Sequence, residues 1–337
     1  MSSSRPTIRD VARQAGVSHQ TVSRVINASE EVSAETRARV EAAIAALGFR
    51  PNAIARSMAK GETHTLACIA PNLTDFTFAS IIEGAEQEAR ASGYFLLSSS
   101  AGDPASFREL VDELIAHRRV DGLVVINPYS DERFEFAPRN FPLVFVGARS
   151  RDEAICSVAL DDKKAAYDAT RHLLALGHRK IAMITGPSSE DCSNDRACGY
   201  QRALREAGLE PDEALTIEGD WSATSGQDAL FLLKEQGTLP SAVFAQNDRM
   251  ALGVLRAARD MGLQIPGELA VIGMDDMPLA SYFDPPLTTM KQDMPRIGRE
   301  AIEILLREIR AEKHSHCQMK ISAQLVVRQS TQMGGGS

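Results

Sequence analysis

Apolar residues recur at helical spacing in three short stretches near the start of the chain. Ile8, Val11, Ala12 and Ala15 share one face of the first, which Thr7 caps with Asp10 three residues on as its capping-box partner. Gly16 ends that helix. After Val17, Ser18 caps a second one, in which Val22, Val25 and Ile26 face one way while His19, Gln20, Thr21, Ser23 and Arg24 face the other. A third runs from Ser33 through Val40, Ala43, Ile44 and Leu47 to Gly48. Two short helices joined by a tight Gly-Val-Ser turn, with a third to close their core, have the pattern of a helix-turn-helix.

From about residue 62 the pattern changes to short apolar runs alternating with amphipathic segments of about a dozen residues. The predicted strands are Thr65–Ala70, Tyr94–Ser99, Gly122–Ile126, Leu143–Val146, Ile181–Thr185, Leu215–Glu218, Ala242–Ala245, Leu269–Ile272 and Leu287–Met290. Alternation of this kind predicts parallel, doubly wound sheets with helices on both faces, and this many strands predicts two of them. The expected fold class is therefore an all-α helix-turn-helix head on an α/β core of two subdomains. Ligands in such sheets sit beyond the carboxyl ends of the strands.

The residues at those ends are polar. Gly186-Pro187 leads into Asn194-Asp195-Arg196, and Gly219-Asp220-Trp221 follows another strand. Gln246-Asn247-Asp248, Gly273-Met274-Asp275-Asp276 and Lys291-Gln292-Asp293 end three more. The chain's one tryptophan among Arg, Asn, Asp and Gln suits a pyranose, whose C–H face stacks on an indole while its hydroxyls take amide and carboxylate hydrogen bonds. A buried Arg–Asp pair that merely holds subdomains together is the competing reading, and the better one for Asp248 or Asp276 taken singly. In the head, Gln can pair with adenine, Arg with guanine, and Ser or Thr with phosphate. A small bundle with incidental polar residues explains the caps there, but not the gathering of Gln20, Thr21 and Arg24 on one side of a short helix.

A net charge of −8 over 337 residues speaks against nucleic acid when read globally, but Lys and Arg exceed Asp and Glu within residues 1–61 and fall short of them in the rest. Five cysteines (Cys68, Cys156, Cys192, Cys198, Cys317) form an odd set that predicts reduced, mostly buried thiols. With no long apolar span and no signal-peptide core, the expected location is cytoplasmic. No Walker loop, nucleophile elbow, zinc-protease helix or dinucleotide glycine fingerprint is found, so neither an enzyme nor a cofactor is expected. His314 and His316 come nearest to a metal pair, in a polar stretch where solvated side chains are expected instead, so no metal is expected either.

Thr7 to Asn27, with Val32-Ser-Ala-Glu-Thr-Arg37 and Gly48-Phe-Arg-Pro-Asn-Ala-Ile-Ala-Arg-Ser-Met58, closely resembles the LacI/GalR repressor family. The likeness extends over nearly the whole chain and is close in Glu218–Gly226, Asn247–Gly253 and Pro285–Asp293. It implies a transcription regulator that binds a pseudo-palindromic double-stranded DNA operator and responds to a small-molecule effector, here a mono- or oligosaccharide. His19, Gln20 and Arg24 would read bases; Thr7, Ser18, Thr21, Ser23 and Asn27 would position the head on phosphates. Asn52, Ala55 and Met58 would belong to a hinge that folds over the operator, with Met58 wedged into the minor groove; without the upstream motif this stretch reads as an ordinary linker. A periplasmic-binding-protein-like core would hold the effector on Phe76, Asn127, Arg196, Trp221, Asn247, Asp275 and Gln292. The implied divisions are residues 1–50 for the head, 51–61 for the hinge, 62–162 plus 293–318 for the first subdomain, and 163–292 plus 319–333 for the second. Compared with one member of that family, His19 replaces a tyrosine, Gly147 an effector-binding aspartate and Met294 a pocket phenylalanine, while Ile126 or Asn127 falls where that member has an asparagine. After Leu325–Thr331 the chain closes in Gly-Gly-Gly-Ser without leucine heptads, so a homodimer is expected. A transport-type sugar-binding protein would share the core, but not the head, and would need a signal peptide.

Overall fold

In the head, three caps set the helix boundaries. The computed structural model describes residues 6–27, 31–49, 62–129, 131–138, 140–147, 155–310 and 317–332. Helices α1 (Ile8–Ala15), α2 (His19–Ile26) and α3 (Ala34–Leu47) start at Thr7, Ser18 and Ser33, whose hydroxyls accept backbone N–H groups of the first turn. The Thr7/Asp10 capping box forms as the sequence predicts. Gly16 ends α1 in the left-handed region at φ 64°, and Gly48 ends α3 at φ 59°. Val11, Val22 and Val40 are fully buried and bring one face of each helix into a common core. Arg39 ties α3 to the turn, donating to the carbonyls of Ala15 at 2.5 Å and Gly16 at 3.3 Å.

The chain divides into two compact units, residues 1–63 and 64–337. The second contains two six-stranded sheets. The first sheet consists of β1 (Thr65–Ala70), β2 (Phe95–Ser100), β3 (Gly122–Ile126), β4 (Leu143–Val146), β5 (Cys156–Leu160) and β11 (Gln318–Ile321), in the order β11-β5-β4-β3-β1-β2 and parallel throughout. The second has β6 (Ile181–Thr185), β7 (Thr216–Glu218), β8 (Ala242–Ala245), β9 (Ala270–Asp275), β10 (Thr288–Lys291) and β12 (Gln324–Val326), in the order β12-β10-β9-β8-β6-β7. Only β12 within it is antiparallel. Central strands such as β3, β6 and β8 are buried along their whole length, as a sheet covered on both faces requires.

Helices α4 (Phe76–Ala91), α5 (Pro104–Ala116) and α10 (Met294–Ile309) cover the first sheet. Helices α6 (Asp162–Ala175), α7 (Asp191–Glu206), α8 (Ala223–Glu235) and α9 (Asp248–Asp260) cover the second. Where α4 crosses α10, glycines allow backbone to touch backbone: a Cβ on Gly298 would lie 2.0 Å from the Ile81 carbonyl oxygen, and one on Gly84 2.0 Å from that of Pro295.

Several boundaries differ from the sequence reading. Tyr94 precedes β2, Leu215 closes a 3-10 turn ahead of β7, β10 begins at Thr288, and β9 runs on to Asp275. Strands β5, β11 and β12 were not predicted. β11 pairs with β5 of the first sheet, so the last crossing between sheets falls after Ile321 rather than after residue 318. Of the cysteines only Cys68 and Cys156 are buried; Cys192 and Cys317 are half-buried and Cys198 is exposed, which corrects the expectation of mostly buried thiols. Burial alone pushes the Cys68 thiol up to about 12. The hinge residues Asn52, Ala55 and Met58, and the pair His314 and His316, lie outside the described residues.

Candidate functional site

Two sites take shape, one in each unit. In the head, α2 buries Val22 and Val25 and leaves Ser18, His19, Gln20, Arg24 and Asn27 exposed, with Thr21 and Ser23 half-buried. The face is pre-ordered by its own hydroxyls. Ser18 Oγ accepts the Thr21 N–H at 3.1 Å and lies 2.9 Å from Thr21 Oγ1, and Asn27 Nδ2 donates to Ser23 Oγ at 3.4 Å. Arg24 Nη1 lies 3.7 Å from a Glu31 carboxylate oxygen. Both side chains are mostly exposed, so the pair is weak and its guanidinium is easily transferred to another acceptor. Thr7, also exposed, faces solvent at the start of α1.

In the second unit, α7 and the strand ends of the second sheet gather around Gly186. Trp221 is held at φ 69°, its Nε1 donating to Glu190 at 2.9 Å and its carbonyl accepting Asn247 Nδ2 at 3.1 Å. A Cβ on Gly186 would sit 2.0 Å from the indole, so only glycine leaves room for the ring there. Arg196 lies with its guanidinium 5.7 Å from the ring centroid, donates from Nε to Asp162 at 2.7 Å and from Nη1 to the Gln246 carbonyl at 2.6 Å. Asn247 caps α9, its Oδ1 accepting the Met250 N–H at 2.8 Å. Gln292 Nε2 donates to Asp275 at 2.7 Å.

Across from these, Asn127 follows β3 and is fully buried; its Oδ1 accepts the Tyr129 N–H at 3.0 Å, while its Nδ2 has no hydrogen-bond partner. Tyr129 bridges to Glu190, and the Asp191 N–H donates to the Pro128 carbonyl at 2.9 Å, so the loop after β3 meets the start of α7. Phe76, about one-third exposed, begins α4 beside Asp75, which ion-pairs with Arg249. Of the seven residues predicted for the effector, Phe76 and Asn127 thus belong to elements of the first sheet and Arg196, Trp221, Asn247, Asp275 and Gln292 to those of the second. Asp275 is close enough to feel the charges of Arg196, Asp75 and Arg249.

Electrostatically the region is rich in buried carboxyl groups. Burial raises Asp275 well above the usual carboxylate range, with nearby Asp248 adding to it. Burial also raises Glu190, partly offset by the indole N–H, and raises Asp162 against the pull of Arg196. Burial works against the charge on Arg196, yet Asp162 and the surrounding negative groups hold it firmly cationic. Asp248 is structural, but within the second sheet and not as the expected Arg–Asp tie between subdomains: fully buried, it accepts Thr289 Oγ1 at 2.6 Å and the Met277 N–H at 2.9 Å, and burial lifts it to about 7. Asp276 is structural too, paired with Arg328 at 2.6 Å within the second sheet's surroundings.

Sequence reasoning did not find Glu190 or Asp162 as site residues, although Glu190 stands inside the stretch it singled out after β6; it placed Gln246 at a strand end without giving it a role of its own. Asp162 was hidden because β5, the strand it follows, was not predicted. Asp162 also lines a cavity of about 210 Å³, together with Gly147, Ser157, Asp191, Cys192 and Lys320 among others. Among the described residues no cluster of His, Cys, Asp and Glu is arranged to hold a metal.

Comparison with known proteins adds the following. The model of bacterial regulatory proteins of the lacI family matches residues 7–52, and that of a periplasmic binding protein-like domain matches residues 170–331. The chain is 35% identical over 332 residues to the HTH-type transcriptional repressor PurR of Edwardsiella ictaluri, covering 97% of each. It is 34% identical over 329 residues to catabolite control protein A of Priestia megaterium, covering 96% of this chain and 99% of that one. Among solved structures, a Lac repressor dimer bound to operator and the anti-inducer ONPF superposes with a TM-score of 0.90 at 32% identity, covering 97% of this chain and 99% of the other. A complex of the transcriptional regulator CelR with cellobiose gives a TM-score of 0.74 at 32% identity, covering 97% and 100%.

Proposed function

The chain belongs to the LacI family of bacterial regulatory proteins and is a DNA-binding transcriptional repressor, and from that premise we propose that an uncharged saccharide bound in the cleft between its two sheets controls its hold on a pseudo-palindromic operator. His19, Gln20 and Arg24 read base edges in the major groove, and Thr7, Ser18, Thr21, Ser23 and Asn27 fix the head on phosphates. Asn52, Ala55 and Met58 form the hinge that follows it. The protein acts as a homodimer in the cytoplasm. Among the described residues no helix is long and apolar enough to cross a membrane.

The observation that carries the effector reading is Asn127 Nδ2, fully buried and without a hydrogen-bond partner after β3, two residues before Tyr129, which bridges to Glu190, the acceptor of the Trp221 indole N–H. Such a group left unpaired costs about 1–3 kcal/mol, and a ligand oxygen removes that cost. Burial disfavours charge on Glu190, Asp162 and Asp275, and Asp162 already takes the Arg196 guanidinium, so a neutral polyol that takes hydrogen bonds fits better than a sugar phosphate. Trp221 supplies the stacking face, and Phe76, Arg196, Asn247 and Gln292 complete the wall. A structural relative was solved with cellobiose, which supports a sugar as the first class to try.

The coupling between effector and operator is reciprocal and typically about 1–3 kcal/mol. A thermal-shift screen of neutral mono- and disaccharides, with sugar phosphates and nucleobases as contrasts, identifies the ligand, since one at a hundred times its Kd stabilises by about 2.7 kcal/mol. Operator affinity is then measured with and without it. Neutral sugars are expected to stabilise the protein and change operator affinity at least fivefold; a ligand that binds and leaves operator affinity unchanged overturns the regulatory reading.

A further inference from the structure

An ion pair that the effector reading does not use spans the same cleft. Asp75 caps α4, its Oδ1 accepting the Thr77 N–H at 2.9 Å, and its Oδ2 accepts from Arg249 Nη2 at 2.6 Å. Helix α4 packs on the first sheet, whereas Arg249 stands in the first turn of α9 on the second. Phe76 is the residue after Asp75, and Asn247 lies two residues before Arg249. The sheets are therefore joined beside the effector residues in two ways, by backbone bonds from the β3 loop to α7 and by this pair of charges.

Capping alone does not call for a charge at Asp75. Asparagine caps a helix as well as aspartate, and the helix dipole favours the carboxylate only by about 0.3–1 kcal/mol. The second carboxylate oxygen is spent across the cleft. The Asp75 side chain is 17% exposed and Arg249 44%, so the contact is screened less than a surface pair. Open and closed states of such a cleft differ by only a few kcal/mol, so even a modest contact shifts their ratio.

We propose that Asp75 and Arg249 are the latch of the cleft, a positioning pair that holds the two halves closed and thereby sets how long a bound effector is retained. The retention half of this rests on the effector reading above; the closure half does not. Two readouts keep them apart. The Asp191 N–H bonds the Pro128 carbonyl on the other side of the cleft, so its hydrogen exchange reports opening without any ligand. Trp221 is the chain's one tryptophan, so its emission follows effector release.

The variants are Asp75→Asn, which keeps the cap, Arg249→Gln, and the two together, all in the full chain. Each single substitution is expected to speed Asp191 exchange about two- to fivefold, with protection inside α4 and α9 unchanged, and the double variant is expected to exceed neither. Release of a saccharide that quenches Trp221 is expected to follow the same pattern. Unchanged Asp191 exchange in both single variants, or effects that multiply in the double, overturns the latch. If no saccharide perturbs Trp221 while Asp191 exchange follows the pattern, the latch stands and the effector reading falls. If a saccharide binds and neither single variant alters exchange or release, the latch falls and the effector reading stands.

Discussion

Arg196 illustrates how a residue can serve a site by building its wall. Both Asp162 and Arg196 are more than nine-tenths buried, and the guanidinium also holds the Gln246 carbonyl and lies against Trp221. Removing one member of a buried pair leaves the other charge uncompensated, typically at about 3–5 kcal/mol. Arg196→Ala is therefore expected to destabilise the core by about 3 kcal/mol in urea denaturation, and the double variant with Asp162→Ala to lose less than the sum of the singles. Asp248 makes a second prediction. Its folded pKa of about 7 lies above the ordinary value of 3.8, so the folded state holds a proton that the unfolded chain gives up between those values, and its contribution to stability is lost as pH rises from about 4 to about 7. In thermal melts, the Tm of Asp248→Asn relative to the unaltered protein should improve steadily over that window; a constant difference contradicts the assignment. Trp221 could be singled out in the sequence because it is unique and follows a strand. Glu190 and Asp162 could not, because what marks them is the partner each meets across the fold, and no local pattern records a partner.

At the scale of elements, legibility followed burial. Strands β1, β3, β4, β6 and β8 were predicted with their observed bounds, since each is a continuous apolar run inside a covered sheet. β11 and β12 lie at sheet edges, carry Gln318, Lys320 and Gln324, and are four and three residues long, too short and too polar to give a periodic signal. β5, Cys156–Leu160, is buried but interrupted by Ser157 in a run of small side chains. The head helices were predicted almost to the residue because their caps are local chemistry, read from Thr7, Ser18 and Ser33 without knowledge of the fold. The crossing of α4 and α10 was invisible in sequence, since Gly84 and Gly298 come together only in space. A methyl group at Gly298 must push the Ile81 backbone aside, so Gly298→Ala is expected to cost about 2 kcal/mol in denaturant unfolding of the full chain.

For the whole molecule, the unanswered question is what covers its exposed apolar side chains. Phe95 is 77% exposed on β2, which forms one edge of the first sheet, and Tyr282 is 84% exposed with Leu279 at 58% in the 3-10 turn Pro278–Tyr282 beside the second. Large apolar groups left in water at two places on one surface unit, together with an unpaired sheet edge, are what a subunit presents to a partner. A second copy related by a twofold axis fits the proposed pseudo-palindromic operator, because each recognition helix then meets one half-site. The two patches belong to different sheets, so a dimer seated on both would sense any change in how the sheets are set against each other, and would carry effector binding in one cleft to the spacing of two heads. Phe95→Glu and Tyr282→Asp each place a charge on one of these patches, where a dimer seated on both would bury it. Sedimentation equilibrium is expected to find the dimer weakened at least tenfold in either variant, and operator binding to turn from a simple isotherm into one that steepens with protein concentration. Affinity for a single half-site should stay the same, since the face of α2 proposed to read bases is untouched. A variant that remains dimeric at nanomolar concentration and binds the full operator normally would mean that the exposed aromatic residues have another occupant and that the twofold contact is made elsewhere.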